Sequence, residues 1–308
     1  ILGDSHPDVA ISHNNIGAVY YAKGAYDLAI ENYKPALEIW KEVLGEYHPD
    51  VAISYNNIGA VYYAKGAYDF ALEYHQKALE IQKEVLGESH PNVATSYNNI
   101  GMIYEAEGMY NQALDYYQKA LEIRKQVWGK SHPEVAISYN NIGMVYYYRG
   151  ARDLALANYQ QALGIQKQVL GESHPNVAMS YNNIGAIYYS KGAYDLALEN
   201  YQKALEIRKQ VLNESHPDMA ISYNNIGTIY YSRGVYELAL DYYQKALEIR
   251  KQVFGDTHLD VAMSYNNIGM IYRSKGNYDL ALEYDHQALA IQKRMLGESH
   301  PTVASSYN

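Results

Sequence analysis

The sequence predicts an all-α protein, a right-handed α-solenoid of helix–turn–helix repeats. Three observations point there. First, Tyr55-Asn-Asn-Ile-Gly-Ala-Val-Tyr62 has counterparts starting at His13, Tyr97, Tyr139, Tyr181, Tyr223 and Tyr265, a fixed spacing of 42 residues. A period of that size marks an array of stacked supersecondary units. Second, Tyr55, Ile58, Gly59 and Tyr62 fall at i, i+3, i+4 and i+7, which is one face of a helix. Third, Gly and Pro recur at the same places in each copy, and this punctuation divides a unit into two helices.

Seven full units start near residues 5, 47, 89, 131, 173, 215 and 257, with a partial unit at 299–308, forming one array over 1–308. Ile1-Leu2-Gly3 reads as the tail of a preceding second helix, because Val43-Leu44-Gly45 holds that place one unit later. Ser-His-Pro opens most units, with Ser as the expected N-cap and Pro in the first helical turn, where its missing N–H costs nothing. Ser131 and Glu134 have capping-box spacing. The first helix runs to near Lys23 or Lys65, and Gly24, Gly66, Gly108, Gly150, Gly192, Gly234 and Gly276 end it as left-handed caps. The second helix starts near Asp27, Asp69, Asn111 or Asp153. It ends at Gly45, Gly87, Gly129, Gly171, Gly255 or Gly297, with Asn213 taking the left-handed position in the fifth unit. Each helix should have about 17 residues, roughly 25 Å.

Gly59 and its counterparts are costly inside a helix, by roughly 1 kcal/mol against Ala. Close approach of the second helix, through small residues such as Ala71 and Ala78, is the expected return. Three substitutions depart from the repeat. Pro35 lies inside a second helix and should kink it or cost about 3 kcal/mol. His75 and Asp285 stand where Tyr117 and Tyr201 face the core, so their units should pack differently. Leu259 replaces the loop Pro.

Tyr55-x2-Ile58-Gly59-x2-Tyr62 resembles the W-x2-L-G-x2-Y pattern of the tetratricopeptide repeat, with Tyr for Trp. Ala113-x3-Tyr117 and Ala197-x3-Tyr201 resemble its A-x3-F pattern. The run Leu86-Gly-Glu-Ser-His-Pro-Asn-Val-Ala94, then Asn98-Asn-Ile-Gly101, then Ala120-Leu-Glu-Ile123 is similar to the 42-residue repeats of kinesin light chains. The resemblance spans the whole chain. It implies a superhelix whose first helices line a concave groove. It also implies that the Asn before the Ile-Gly pair holds peptide backbone: Asn15, Asn57, Asn99, Asn141, Asn183, Asn225 and Asn267.

Composition limits the classes. The 308 residues contain no Cys, so neither a disulfide framework nor a thiolate metal site is expected. No apolar run approaches a membrane span, and no signal peptide opens the chain. A cytoplasmic location is the expectation. The formal net charge of −9, without a Lys/Arg-rich face, argues against nucleic acid. No phosphate loop, nucleophile motif or metal cluster is present, so neither enzymatic activity nor a cofactor is expected. The His of each Ser-His-Pro turn is read as turn packing. Acidic residues of the second helices have Lys partners four positions on, as Glu73 has Lys77, and read as a solvated face.

The groove side of the second unit should carry Ile53, Asn56, Asn57, Ala60, Tyr63 and Ala64. The Tyr63 position becomes Tyr21, Glu105, Tyr147, Tyr189, Tyr231 and Arg273 elsewhere. Asn is a poor helix former, so paired mid-helix Asn in every unit need a reason. A carboxamide both donates and accepts, which suits the backbone of an extended peptide. The other reason is bonding to a neighbouring unit or to a carbonyl one turn back, and for the first Asn of each pair that reading leads. The Tyr row serves either peptide contact or packing between successive first helices. The expected function is a non-enzymatic interaction scaffold taking an extended, largely uncharged protein segment. Two alternatives are a structural spacer that associates head to tail and the sensor or scaffold arm of a larger protein.

Overall fold

A computed structural model of the chain describes residues 6–298 and 300–305. The expected tail at Ile1–Gly3 lies outside them, as does part of the segment 299–308. The elements are all helical: α1 (Pro7–Ala22), α2 (Tyr26–Leu44), α3 (Pro49–Ala64), α4 (Tyr68–Leu86), α5 (Pro91–Ala106), α6 (Tyr110–Trp128), α7 (Pro133–Tyr148), α8 (Arg152–Leu170), α9 (Pro175–Ser190), α10 (Tyr194–Val211), α11 (Pro217–Ser232), α12 (Tyr236–Phe254), α13 (Leu259–Ser274), α14 (Tyr278–Leu296) and α15 (Pro301–Ser305). First helices have 16 residues and second helices 19, or 18 in α10, instead of 17 throughout. The chain forms two compact units that divide inside α8, after Ile165. In the first unit α1 packs on α2, α2 on α3, and so on to α7; in the second the same succession runs from α9 to α15.

The N-caps differ from expectation. His, not Ser, is the cap. In each described turn its Nδ1 accepts from the backbone N–H two residues on, at 3.2 Å from His48 to Asp50 and 3.1 Å from His90 to Asn92. His132 caps α7 in this way, so the Ser131/Glu134 capping box does not form. The ring also packs: His132 stacks on Trp128 and His258 on Phe254, both at 4.6 Å between centroids. His258 still caps α13 although Leu259 replaces the Pro.

Ends of the first helices follow expectation. Gly24, at φ 72°, donates to Tyr21 O, and Ala25 donates to Tyr20 O, both at 2.9 Å; this is the paired-bond Schellman closure. Second helices end differently. Gly45 has φ 86° and ψ 162°, a region that only Gly enters readily. Asn213 cannot substitute there. No described residue other than Gly has positive φ, and α10 stops at Val211 with Leu212 as an extended cap.

Gly59, Gly101 and their counterparts make room for a side chain of the second helix, a ring in every repeat but the last, not for an Ala-lined backbone approach. A Cβ on Gly101 would lie 2.8 Å from the Tyr117 ring, and one on Gly185 2.8 Å from Tyr201. Ala71 and Ala78 are fully buried but are not what those glycines face. His75 takes the Tyr position opposite Gly59 and donates from Nδ1 to Asn56 Oδ1 at 2.8 Å. Asp285 takes it opposite Gly269 and accepts from Arg273 at 2.5 Å. These two repeats therefore pack differently, as their sequences suggest. Pro35 lies inside α2, which nonetheless keeps the 19-residue length of α4.

Adjacent repeats are joined by a buried polar contact that the sequence pattern did not single out. Arg124 of α6 is 4% exposed. Its Nη1 donates to Ser138 Oγ at 2.8 Å, and its Nη2 lies 2.9 Å from Glu134 Oε2. Arg208 and Arg250 repeat this, donating to Ser222 and Ser264 at 2.7 and 2.6 Å. Where the position is Gln, it still meets the Ser, as Gln82 accepts from Ser96 at 2.8 Å and Gln166 from Ser180 at 2.6 Å. The next repeat changes in step. Its second helical residue is acidic after Arg (Glu134, Asp218, Asp260) and Asn after Gln82 and Gln166 (Asn92, Asn176), while Thr302 follows Gln292.

Candidate functional site

The face of each first helix turned away from its second helix carries the candidate residues. Asn57, Asn99, Asn141, Asn183, Asn225 and Asn267 are half-buried there, and Asn15 is exposed. Asn57 Nδ2 donates to Asn14 Oδ1 of the preceding repeat at 2.8 Å, and Asn141 to Asn98 at 2.9 Å. In the second unit Asn225 donates to Asn182, and Asn267 to Asn224, both at 2.8 Å. Asn14, Asn98, Asn182 and Asn224 thus serve as acceptors for the next repeat, a structural role. Each of these second Asn residues spends one N–H; its Oδ1 and other N–H have no partner among the described residues. The rung at Asn99 is missing. His75 takes Asn56 Oδ1, and the Asn99 carboxamide makes no hydrogen bond among the described residues.

The Tyr row has mixed roles. Tyr21 and Tyr147 are 38% and 39% exposed. Tyr21, Tyr63, Tyr189 and Tyr231 each lie against the first residue of their own second helix, with ring centroids 5.8–5.9 Å apart. The hydroxyls of Tyr189 and Tyr231 reach Ser232 and Ser274 of the next repeat, at 3.3 and 3.0 Å. These two are therefore partly used in packing. Burial and the nearby Tyr68 and Glu105 push the Tyr63 phenol up.

Glu105 interrupts the row. Tyr117 donates to its Oε2 at 2.7 Å. Burial raises its carboxyl pKa, and that hydrogen bond lowers it by less. The sequence placed Glu105 at this position but gave it no role.

A second recurring surface lies beside Tyr55, Tyr97, Tyr181 and Tyr223. Shallow indentations of about 220–440 Å³ open there, lined by Lys and Glu. Lysines that line them are already engaged: Lys119 sits 5.8 Å from the Tyr97 ring centre and pairs with Asp115 at 2.7 Å, while Lys203 pairs with Glu199 at 2.6 Å. This surface is a neutralised rim. Among the described residues no three His, Cys, Asp or Glu side chains are grouped to hold a metal ion, and no helix is long and apolar enough to cross a membrane.

The family model of the tetratricopeptide repeat matches residues 8–84, 50–126, 134–210, 176–252, 218–294 and 260–308. No curated protein sequence matches the chain significantly. Solved structures share the fold. BtubC (BKLC) from P. vanneervenii is 24% identical, with a TM-score of 0.63, over 77% of this chain and 92% of that one. The nearly identical TPR-like repeats of a kinesin light chain from Podosopora anserina are 21% identical, with a TM-score of 0.57, over 67% and 98%. The apo form of RapI is 20% identical, with a TM-score of 0.69, over 93% and 98%. With paired helices in register with every matched repeat, the chain belongs to the tetratricopeptide repeat family.

Proposed function

We propose that the chain is an interaction scaffold that holds an extended segment of a partner protein along its first helices. Proteins of this family generally mediate protein–protein interactions. One observation carries the finer reading: Asn57, Asn141, Asn225 and Asn267 are each fixed by one N–H to the preceding repeat and keep a carbonyl oxygen and an N–H for a ligand. A side chain positioned in this way offers the donor and acceptor that a peptide backbone needs, with little ordering cost on binding. Tyr21, Tyr63, Tyr147, Tyr189 and Tyr231 supply the apolar contact beside these amides.

A peptide-library screen against the parent and an Asn57/Asn99/Asn141/Asn183→Ala variant tests the reading. Asn99→Ala is the clean single change, because Asn99 makes no inter-repeat bond. Peptides captured by the parent and lost by these variants, with helical circular dichroism unchanged, are the expected result. Capture indifferent to them would leave the Asn pairs a purely structural role.

A further inference from the structure

We propose that the segment bound along α3, α5 and α7 carries a Lys or Arg side chain, which seats on Glu105 between Tyr63 and Tyr147. This rests on the peptide-binding reading above and names the chemistry of its ligand. The argument begins with a missing partner. Glu105 is half-buried, and among the described residues its carboxylate has no ion-pair partner, only the Tyr117 hydroxyl on Oε2. Elsewhere in this row the residue is Tyr, except in the last repeat, where Arg273 is answered by Asp285. Among the described residues no cation answers the charge at Glu105.

The turn after α5 deepens the asymmetry. In three other repeats a cation at the end of the first helix bridges back to an acid of the preceding repeat. Lys65 pairs with Asp27, Arg233 with Asp195 at 2.5 Å, and Lys275 with Glu237 at 2.5 Å. At α5 that cation is replaced by Glu107, and the acid it would meet, Asp69, has no ion-pair partner among the described residues. One repeat thus loses a positive charge and gains two negative ones, at the end of α5 that bears Glu105.

The surroundings suit a long basic side chain. Tyr63 and Tyr147 hold the Glu105 position on the flanking first helices, and the Glu105 charge is felt at Tyr63 and at Tyr159. A guanidinium or ammonium group lying over tyrosine faces gains from the ring quadrupole as well as from the carboxylate. Its aliphatic stem covers apolar surface. On the same helix, six residues before Glu105, the unpartnered Asn99 carboxamide can fix the peptide backbone. An acidic segment would instead bring like charge against a partly desolvated carboxylate.

The test is a synthetic array of otherwise uncharged extended peptides, each made with Lys, Arg, Gln or Glu at one central position. Affinities are measured for the parent, Glu105→Gln, Glu105→Tyr and Asn99→Ala. Gln keeps an acceptor for Tyr117, and Tyr is the residue at 63 and 147, so both variants should fold, as circular dichroism checks. The expected result is that the parent binds Lys and Arg members at least about tenfold more tightly than their Gln counterparts, a charge-assisted contact. That preference should shrink at high salt and vanish in both Glu105 variants while the Gln members still bind. Equal binding of Lys and Gln members by the parent, or a preference surviving Glu105→Gln, overturns the proposal. If binding needs Asn99 yet shows no basic preference, the groove reading stands and this one falls. If no member binds, or binding ignores Asn99, the groove reading fails and this proposal falls with it.

Discussion

Gly101 and Gly164 both stand inside helices, and opposite effects are expected when each becomes Ala. A Cβ on Gly101 meets the buried Tyr117 ring at 2.8 Å. Overpacking of that kind costs about 1–3 kcal/mol, more than the roughly 1 kcal/mol that Ala gains in helix propensity. Gly164 is exposed, with nothing within 4 Å of a new Cβ, so Gly164→Ala should stabilise by up to about 1 kcal/mol. Urea denaturation of the two variants distinguishes them by the sign of the midpoint shift. His75 supplies a pH effect. Burial lowers its pKa to about 4 from 6.5. Between those values the unfolded chain binds a proton that the folded chain refuses, so stability falls as pH drops from about 6.5 to about 4. The loss reaches about 3 kcal/mol at most. His75→Tyr, which restores the residue of the neighbouring repeats, should remove this slope. Denaturation of both proteins at pH 7.5 and 4.5 checks it, and equal losses in the two would assign the slope to other groups.

At the scale of elements, what joins one repeat to the next is the pairing of a second helix with the following first helix. Arg124 is desolvated, which lowers its guanidinium pKa, and the Glu134 carboxylate opposes that shift. Removing one member of such a pair strands the other. Arg124→Gln alone should therefore destabilise by about 1–2 kcal/mol. Adding Glu134→Asn recreates the Gln82 and Asn92 combination of the α4–α5 junction and should recover most of the loss. The double-mutant cycle isolates the coupling, and strictly additive losses would show that the two positions do not read each other. The caps tell a related story. Ser before His-Pro has the better general record as an N-cap, but the His ring, not the Ser hydroxyl, reaches the second helical N–H, before Leu259 as well as before Pro.

Across the whole molecule, the features legible in the sequence were those set within a few residues. Helix pairing followed from the period and from the Gly and Pro punctuation, and the Schellman turns from Gly24 and its counterparts. The Asn row and Glu105 could be placed on a helix face by counting. What could not be read was how a side chain meets another repeat: that Asn57 would bond Asn14, that His75 would break the next rung, or that Arg124 would be buried. Each depends on residues about 14 to 43 positions apart, and a polar residue on an amphipathic helix looks like surface until its neighbour is in place. The same dependence on neighbours sets the stability of identical positions. In a stacked array each repeat has its own free energy plus an interface term with the next. Ile58 of α3 is covered by the preceding repeat and is fully buried, while Ile16 of α1, at the same position, is 45% exposed. Ile58→Ala leaves a cavity and should cost about 2–5 kcal/mol. Ile16→Ala removes a side chain that water already reaches and should cost about 1 kcal/mol or less. If denaturation gave equal losses at the two sites, burial by the neighbouring repeat would not be what sets the stability of these helices.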